Sequence, residues 1–97
     1  MIWRIRFAVS ALRDLEHALG ALDDRRAAAR IAAAIDGRIE ALKGSPRLGR
    51  IVPELGLETV REVLVPPFRL VYRIERRELR VVAAVHMRRD FKGALRR

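Results

Sequence analysis

Residues 60–90 read VREVLVPPFRLVYRIERRELRVVAAVHMRRD, and the alternation within them decides the fold. Three runs, Val60–Val65, Phe68–Glu75 and Glu78–Val85, have the period of strands and are separated only by Pro66-Pro67 and Arg76-Arg77. Runs joined that tightly form an antiparallel meander. In the middle run Phe68, Leu70, Tyr72 and Ile74 share one face, while Arg69, Val71, Arg73 and Glu75 share the other. In the last run Leu79, Val81, Ala83 and Val85 are set against Arg80, Val82, Ala84 and His86. A slip of one residue would bury arginines, which constrains the register. This register gathers Arg61, Arg69, Arg73, Arg80 and His86 on one face, with Arg88 and Arg89 directly after the last strand. A small sheet that lines a face with arginine where valine would serve is expected to meet something anionic.

Towards the N-terminus, residues 2–7 alternate Trp3, Ile5 and Phe7 against Arg4 and Arg6, which predicts a further strand with one buried face. Ser10 is placed to cap a first helix bearing Leu12, Leu15, Leu19 and Leu22. Asp23-Asp24 supply negative charge to the start of a second helix, about Arg25 to Lys43, with Ile31, Ile35, Ile39 and Leu42 as its apolar stripe. A connection that short makes the helices an antiparallel hairpin. Gly44-Ser45-Pro46 ends the second helix, residues 47–58 read as an ordered loop, and Phe91 and Leu95 mark a short helix in the tail. The expected fold is therefore α+β, in the order β-α-α-β-β-β(-α). An antiparallel sheet of about four strands (60–65, 68–75 and 78–86, with 2–7 alongside) packs on the helical hairpin of residues 10–43. Residues 1–97 are expected to form one domain.

Composition narrows the function classes. The chain has 97 residues, is 51% apolar and 34% charged, and contains no cysteine, which excludes disulfides and thiolate metal sites. No apolar run reaches the roughly 18 residues of a membrane span, and MIWRIRF lacks the apolar core of a signal peptide. A cytoplasmic location without membrane contact is expected. Of the net charge of +9, residues 1–60 hold +2 and residues 61–97 hold +7, and 19 of the 21 basic side chains are arginine. The positive field therefore belongs to the C-terminal third, in a side chain suited to bidentate phosphate or carboxylate recognition.

Catalytic candidates are few. His17 and His86 are the only histidines, and neither has a carboxylate cluster or cysteine beside it, so no metal and no cofactor is expected. No glycine-rich phosphate loop precedes a helix bearing Lys-Ser/Thr. What is left is arginines plus His86. RNA cleavage needs a base for the 2′-hydroxyl, cations for the phosphorane and an acid for the leaving oxygen. Arg69 and Arg88 suit the cations, and His86 suits the acid or base. The plainer alternative is that Arg69 and Arg73 form cross-strand pairs with Glu62, Glu75 or Glu78.

The order of pieces resembles the RelE/ParE superfamily of bacterial toxins from type II toxin–antitoxin modules. The similarity rests on the N-terminal strand followed by Ser10-Ala11-Leu12-Arg13-Asp14-Leu15, then Gly49-Arg50-Ile51-Val52-Pro53-Glu54-Leu55, Arg61-Glu62-Val63-Leu64-Val65, Phe68-Arg69-Leu70-Val71-Tyr72-Arg73-Ile74 and Val85-His86-Met87-Arg88-Arg89-Asp90. The resemblance implies the same fold and a growth-inhibiting toxin with a cognate antitoxin, an acidic and partly disordered segment, as its partner. RelE-like members cleave mRNA on the ribosome, whereas ParE-like members poison DNA gyrase. The motif arginine falls on Arg69 and the basic residue after the last strand on Arg88 or Arg89. Val60 and Glu62 stand where RelE-like nucleases carry lysines, and Ala94 stands where they carry a tyrosine, so the chain looks more ParE-like. Three expectations stay open at this point: a gyrase inhibitor that acts by binding; a ribosome-dependent endonuclease using Arg69, His86 and Arg88; and a non-toxic basic nucleic-acid-binding module. Arg61, Arg69, Arg73, Arg80, Arg88 and Arg89 are the candidate contacts to target or antitoxin.

Overall fold

The elements run β1 (Arg4–Phe7), α1 (Val9–Gly20), α2 (Arg25–Gly44), β2 (Arg50–Ile51), β3 (Val60–Val65), β4 (Phe68–Glu75) and β5 (Glu78–His86) in a computed structural model that describes residues 2–88. The α+β class, the helical hairpin and the β3-β4-β5 meander follow the sequence pattern. The sheet itself differs from expectation in two ways. It has five strands in the order β1-β5-β4-β3-β2, and it is mixed, because β1 lies parallel to β5 with Arg4 opposite Glu78 and Phe7 opposite Val81. Tight turns dictate antiparallel neighbours, but β1 reaches its partner across the intervening chain, and local sequence says nothing about that direction. The added strand, β2, is two residues inside the loop and too short to show a period. The expected tail helix and Arg89 lie outside the described residues.

The helices start differently. Asp24 caps α2 as expected, its side chain accepting from the backbone N–H of Arg26 at 2.9 Å and of Ala27 at 3.3 Å. Ser10 does not cap α1; it sits in the first turn after Ala8, whose N–H donates to the Val81 carbonyl at 2.9 Å and ties the helix start to β5. The buried line of α1 is Ala11 and Leu15, and Leu12 is exposed. A small residue at the contact lets α1 come close to β5, the strand it packs on. On α2, Ile35 and Leu42 are buried, with Ile31 and Ile39 packed beside them.

The main core lies between helices and sheet and joins Leu15, Ile35 and Leu42 to Val63, Val65, Leu70, Tyr72, Leu79 and Val81, with Trp3, Ile5 and Phe7 of β1 at its margin. A second, smaller cluster sits on the opposite face: Val52, Val60, Val71, Ala83 and Val85. Its existence exposes an irregularity in β5. Val71 pairs with Ala83, but Tyr72 pairs with Val81, so Val82 is an extra residue and a bulge. The bulge inverts the alternation. Ala83 and Val85, expected on the helix side, pack on the outer face, and Ala84 and His86, expected outside, face the helices.

The loop after α2 is pinned by Tyr72, which is buried at 0% exposure. Its hydroxyl donates to the Pro46 carbonyl at 2.6 Å and accepts from the Gly49 N–H at 3.0 Å. Burial pushes the hydroxyl's pKa up. Gly49 has no room for a side chain, since a Cβ would lie 2.6 Å from the Glu62 carbonyl and 2.7 Å from the Tyr72 hydroxyl. Tyr72→Phe leaves both loop groups unpaired and should cost about 1–3 kcal/mol. Gly49→Ala forces the loop off the sheet and should cost at least as much. Urea unfolding of both variants against wild type checks this.

Candidate functional site

Arg69 is the second residue of β4, on its outer face, and its guanidinium is engaged in a carboxylate fork. Nη1 and Nη2 donate to the two Glu54 carboxylate oxygens at 2.9 and 2.8 Å, and Nε donates to Glu62 Oε1 at 2.7 Å. The other Glu62 oxygen accepts from Arg50 Nε at 2.6 Å. The Glu62 side chain is 0% exposed and that of Arg69 11%. A carboxylate buried beside valines is tolerable only with such partners. Two glutamates and two arginines make the cluster neutral, and it fastens the Gly49–Leu55 segment to the sheet. The Arg69 hydrogen bonds pull the Glu54 carboxyl from its ordinary 4.5 down to about 2, and the Glu54 carboxylate raises Arg69 further above its already high value.

Arg61 has a structural role too. It is opposite Tyr72, hence on the helix side of the sheet, not on the face expected for it. There its guanidinium donates to the carbonyls of Glu58 at 3.0 Å, Gly49 at 2.9 Å and Arg47 at 3.4 Å, and clamps the loop ends together. Arg73 and Arg80 face outward and are exposed.

His86 belongs to a different place. It faces α1 across a cleft of about 520 Å³ lined by Arg13, Asp14, His17, Ala18, Leu22, Pro67, Phe68 and Ala84. Its ring meets Phe68 edge to face at 6.0 Å, and its Nδ1 accepts from the Arg88 N–H at 3.2 Å. Arg69 and His86 are thus on opposite sides of the sheet, a separation produced by the Val82 bulge and hidden from simple alternation. Arg88 is exposed beside His86. The cleft brings the two histidines of the chain together with Arg13, a grouping that the linear sequence did not reveal. The helical spacing of Arg13 and His17, one turn apart on α1, was the available signal.

Residues 5–91 match the model of a protein family described as the ParE toxin of the type II toxin-antitoxin system, parDE. The chain belongs to the ParE toxin family. Among solved structures, a chain from the chromosomal ParDE toxin–antitoxin system of P. aeruginosa superposes with a TM-score of 0.69 at 17% identity, over 88% of this chain and 96% of that one. A chain of the toxin–antitoxin complex RelBE2 (Rv2865-2866) from Mycobacterium tuberculosis does so with a TM-score of 0.62 at 24% identity, over 89% and 99%. No curated protein sequence matches the chain. The toxin shares its fold with both branches of the RelE/ParE superfamily. Among the described residues, no group of three or more potential metal ligands occurs and no helix is long and apolar enough to cross a membrane.

In this ParE-type toxin the motif arginine holds the fold. Glu62→Gln leaves Arg69 with one buried partner too few and should destabilise the toxin by about 3 kcal/mol or more, which denaturant unfolding would measure. The Glu54 contribution has a distinct pH signature. Its carboxyl is depressed in the folded state, so its stabilisation is complete above about pH 4.5 and is lost as pH falls from 4.5 towards 2. Glu54→Gln should flatten the melting-temperature profile across that window and lower the plateau above it.

Proposed function

We propose that the toxin arrests growth by binding and poisoning DNA gyrase, without cutting RNA. The supporting observation is the separation of Arg69 from His86. A nuclease site needs its cation and its acid or base around one phosphate, yet Arg69 is held by two carboxylates on one face and His86 opens into a cleft on the other. Glu62 adds to this: it stands at the strand position where a nuclease would present a lysine, and, buried between Arg50 and Arg69, it offers no cation to a phosphate. Membership of the ParE family supports a toxin over a basic nucleic-acid-binding module. Both the target and the expected cytoplasmic setting are part of this proposal, as is the treatment of residues 1–97 as one toxin unit.

A cognate antitoxin completes the proposal. The α1–β5 cleft has an apolar floor of Ala18, Leu22 and Phe68, with Arg13, Asp14, His17 and His86 as its polar lining and the exposed Arg88 two residues beyond His86. That combination fits an acidic, partly disordered segment that buries one or two apolar side chains as it folds on contact. The arginine-lined groove expected from the sequence is a poorer host, because Arg61 and Arg69 are already satisfied.

The test pairs a gyrase supercoiling assay with primer extension on ribosome-bound mRNA, for wild type and His86→Ala. Wild type should inhibit supercoiling, and His86→Ala should keep most of that inhibition, since no proton is transferred. A nuclease would instead lose about 10²–10⁴ in rate on removal of its acid or base. Codon-positioned cuts that vanish in His86→Ala, with supercoiling untouched, would overturn the proposal.

A further inference from the structure

On the outer face of the sheet, three arginines stand in a line across three strands. Arg6 of β1 is opposite Arg80 of β5, and Arg80 is opposite Arg73 of β4. Neighbouring strands lie about 4.8 Å apart, so the row spans roughly 10 Å. The adjacent row, Arg4, Glu78 and Glu75, carries a net charge of −1 against the +3 of the arginine row, so the two rows together keep a net +2. Internal partners do little to offset it. Arg6 approaches Glu78 at 3.7 Å and Arg73 approaches Glu75 at 3.8 Å, both too long for a hydrogen bond. Arg80 forms no ion pair with any described residue, and the Arg6 and Arg73 side chains are 72% and 53% exposed. Like charges directly opposite one another destabilise a sheet. Arg50, Arg61 and Arg69, by contrast, are all consumed by carboxylates or carbonyls.

We infer that Arg6, Arg73 and Arg80 form a contact site for the phosphate backbone of duplex nucleic acid. The guanidinium fork matches a phosphate's paired oxygens, and phosphate contacts need no apolar anchor. A protein partner would want one. Most of the large exposed apolar side chains lie elsewhere, at Leu48, Ile51, Leu55 and Leu57 on the loop and at Leu12 and Met87, and the two nearest in sequence, Ile2 and Val9, lie beyond either end of β1. Arg76 and Arg77 in the β4–β5 turn are exposed at the same end and extend the positive track. The site is separate from the α1–β5 cleft, so an antitoxin segment in the cleft leaves the row open.

The test needs neither gyrase nor ribosome nor antitoxin, so its outcome is independent of the proposed function. Binding of a short fluorescein-labelled duplex of mixed sequence is followed by anisotropy from low to moderate salt. Arg6→Gln/Arg73→Gln/Arg80→Gln is compared with Arg25→Gln/Arg30→Gln/Arg38→Gln, which removes the same charge from exposed positions of α2. Each phosphate contact contributes about 0.9 to the slope of log affinity on log salt. The row variant should therefore lose roughly two to three units of slope and about tenfold or more in affinity at low salt, while the α2 variant stays near wild type. Relief of like-charge repulsion should leave its melting temperature unchanged or raised, and Arg80→Gln alone gives the same comparison with one change. Equal losses in both variants, or no duplex binding by wild type, would overturn the inference. So would a row variant that keeps duplex binding and loses only an acidic peptide.

Discussion

A carboxylate with no exposure to water, packed beside valines on the outer face of a small sheet, sets terms that the surrounding chain has to meet. Glu62 can be housed there only if donors reach both of its oxygens, and those donors come from the two sheet neighbours of β3: β4, through Arg69, and β2 in the loop after α2, through Arg50. Once Arg69 is drawn in, its remaining donors need an acceptor, and Glu54 is brought down onto the sheet. Val52, between these anchors, is thereby seated on Val60 and Val71. Tyr72 performs the matching task on the helix side, where one hydroxyl serves Pro46 and Gly49. The irregular segment from Pro46 to Glu58 is thus fixed from both faces of the same two strands.

The second constraint is the single extra residue in β5. Val82 lets the strand satisfy the helix-side core at Leu79 and Val81 and the outer cluster at Ala83 and Val85, although strict alternation would allow only one of them. The functional consequence is a division of labour. The arginine of the family motif and the only described histidine near the strand end are sent to opposite sides, one into a sealed ion-pair cluster and the other into an open cleft with Arg13 and His17.

Legibility in the sequence follows this physics closely. The meander was legible because proline and arginine pairs punctuate three runs of strict period, and α2 because Asp24 and four spaced aliphatics mark its start and face. The parallel seating of β1 was not, because strand direction across a long connection is set by packing of the hairpin. Nor was the bulge, since Val82-Ala83-Ala84 offers three small apolar residues with no polar beat to reveal a change of phase. The Glu62–Arg69 pairing was visible as one of two readings, and the presence of glutamate in an otherwise valine-rich strand was its signature. The partnership of Glu54 with Arg69 was not readable, because a loop residue has no period to place it.

The parallel contact between β1 and β5 has a temporal side. The strand near the start of the chain finds its neighbour only in the strand that completes the sheet, with Arg4 against Glu78 and the Ala8 N–H held by Val81. Contacts so distant along the chain close late and slowly, since a large loop entropy must be met before they contribute. A growing polypeptide could form the helical hairpin and then the β3–β4 ladder, but the hydrophobic face of β1 would wait, uncovered on one edge, until β5 had emerged. Both the α1–β5 cleft and the arginine row across β1, β5 and β4 therefore depend on β5, the last of the described strands to be made.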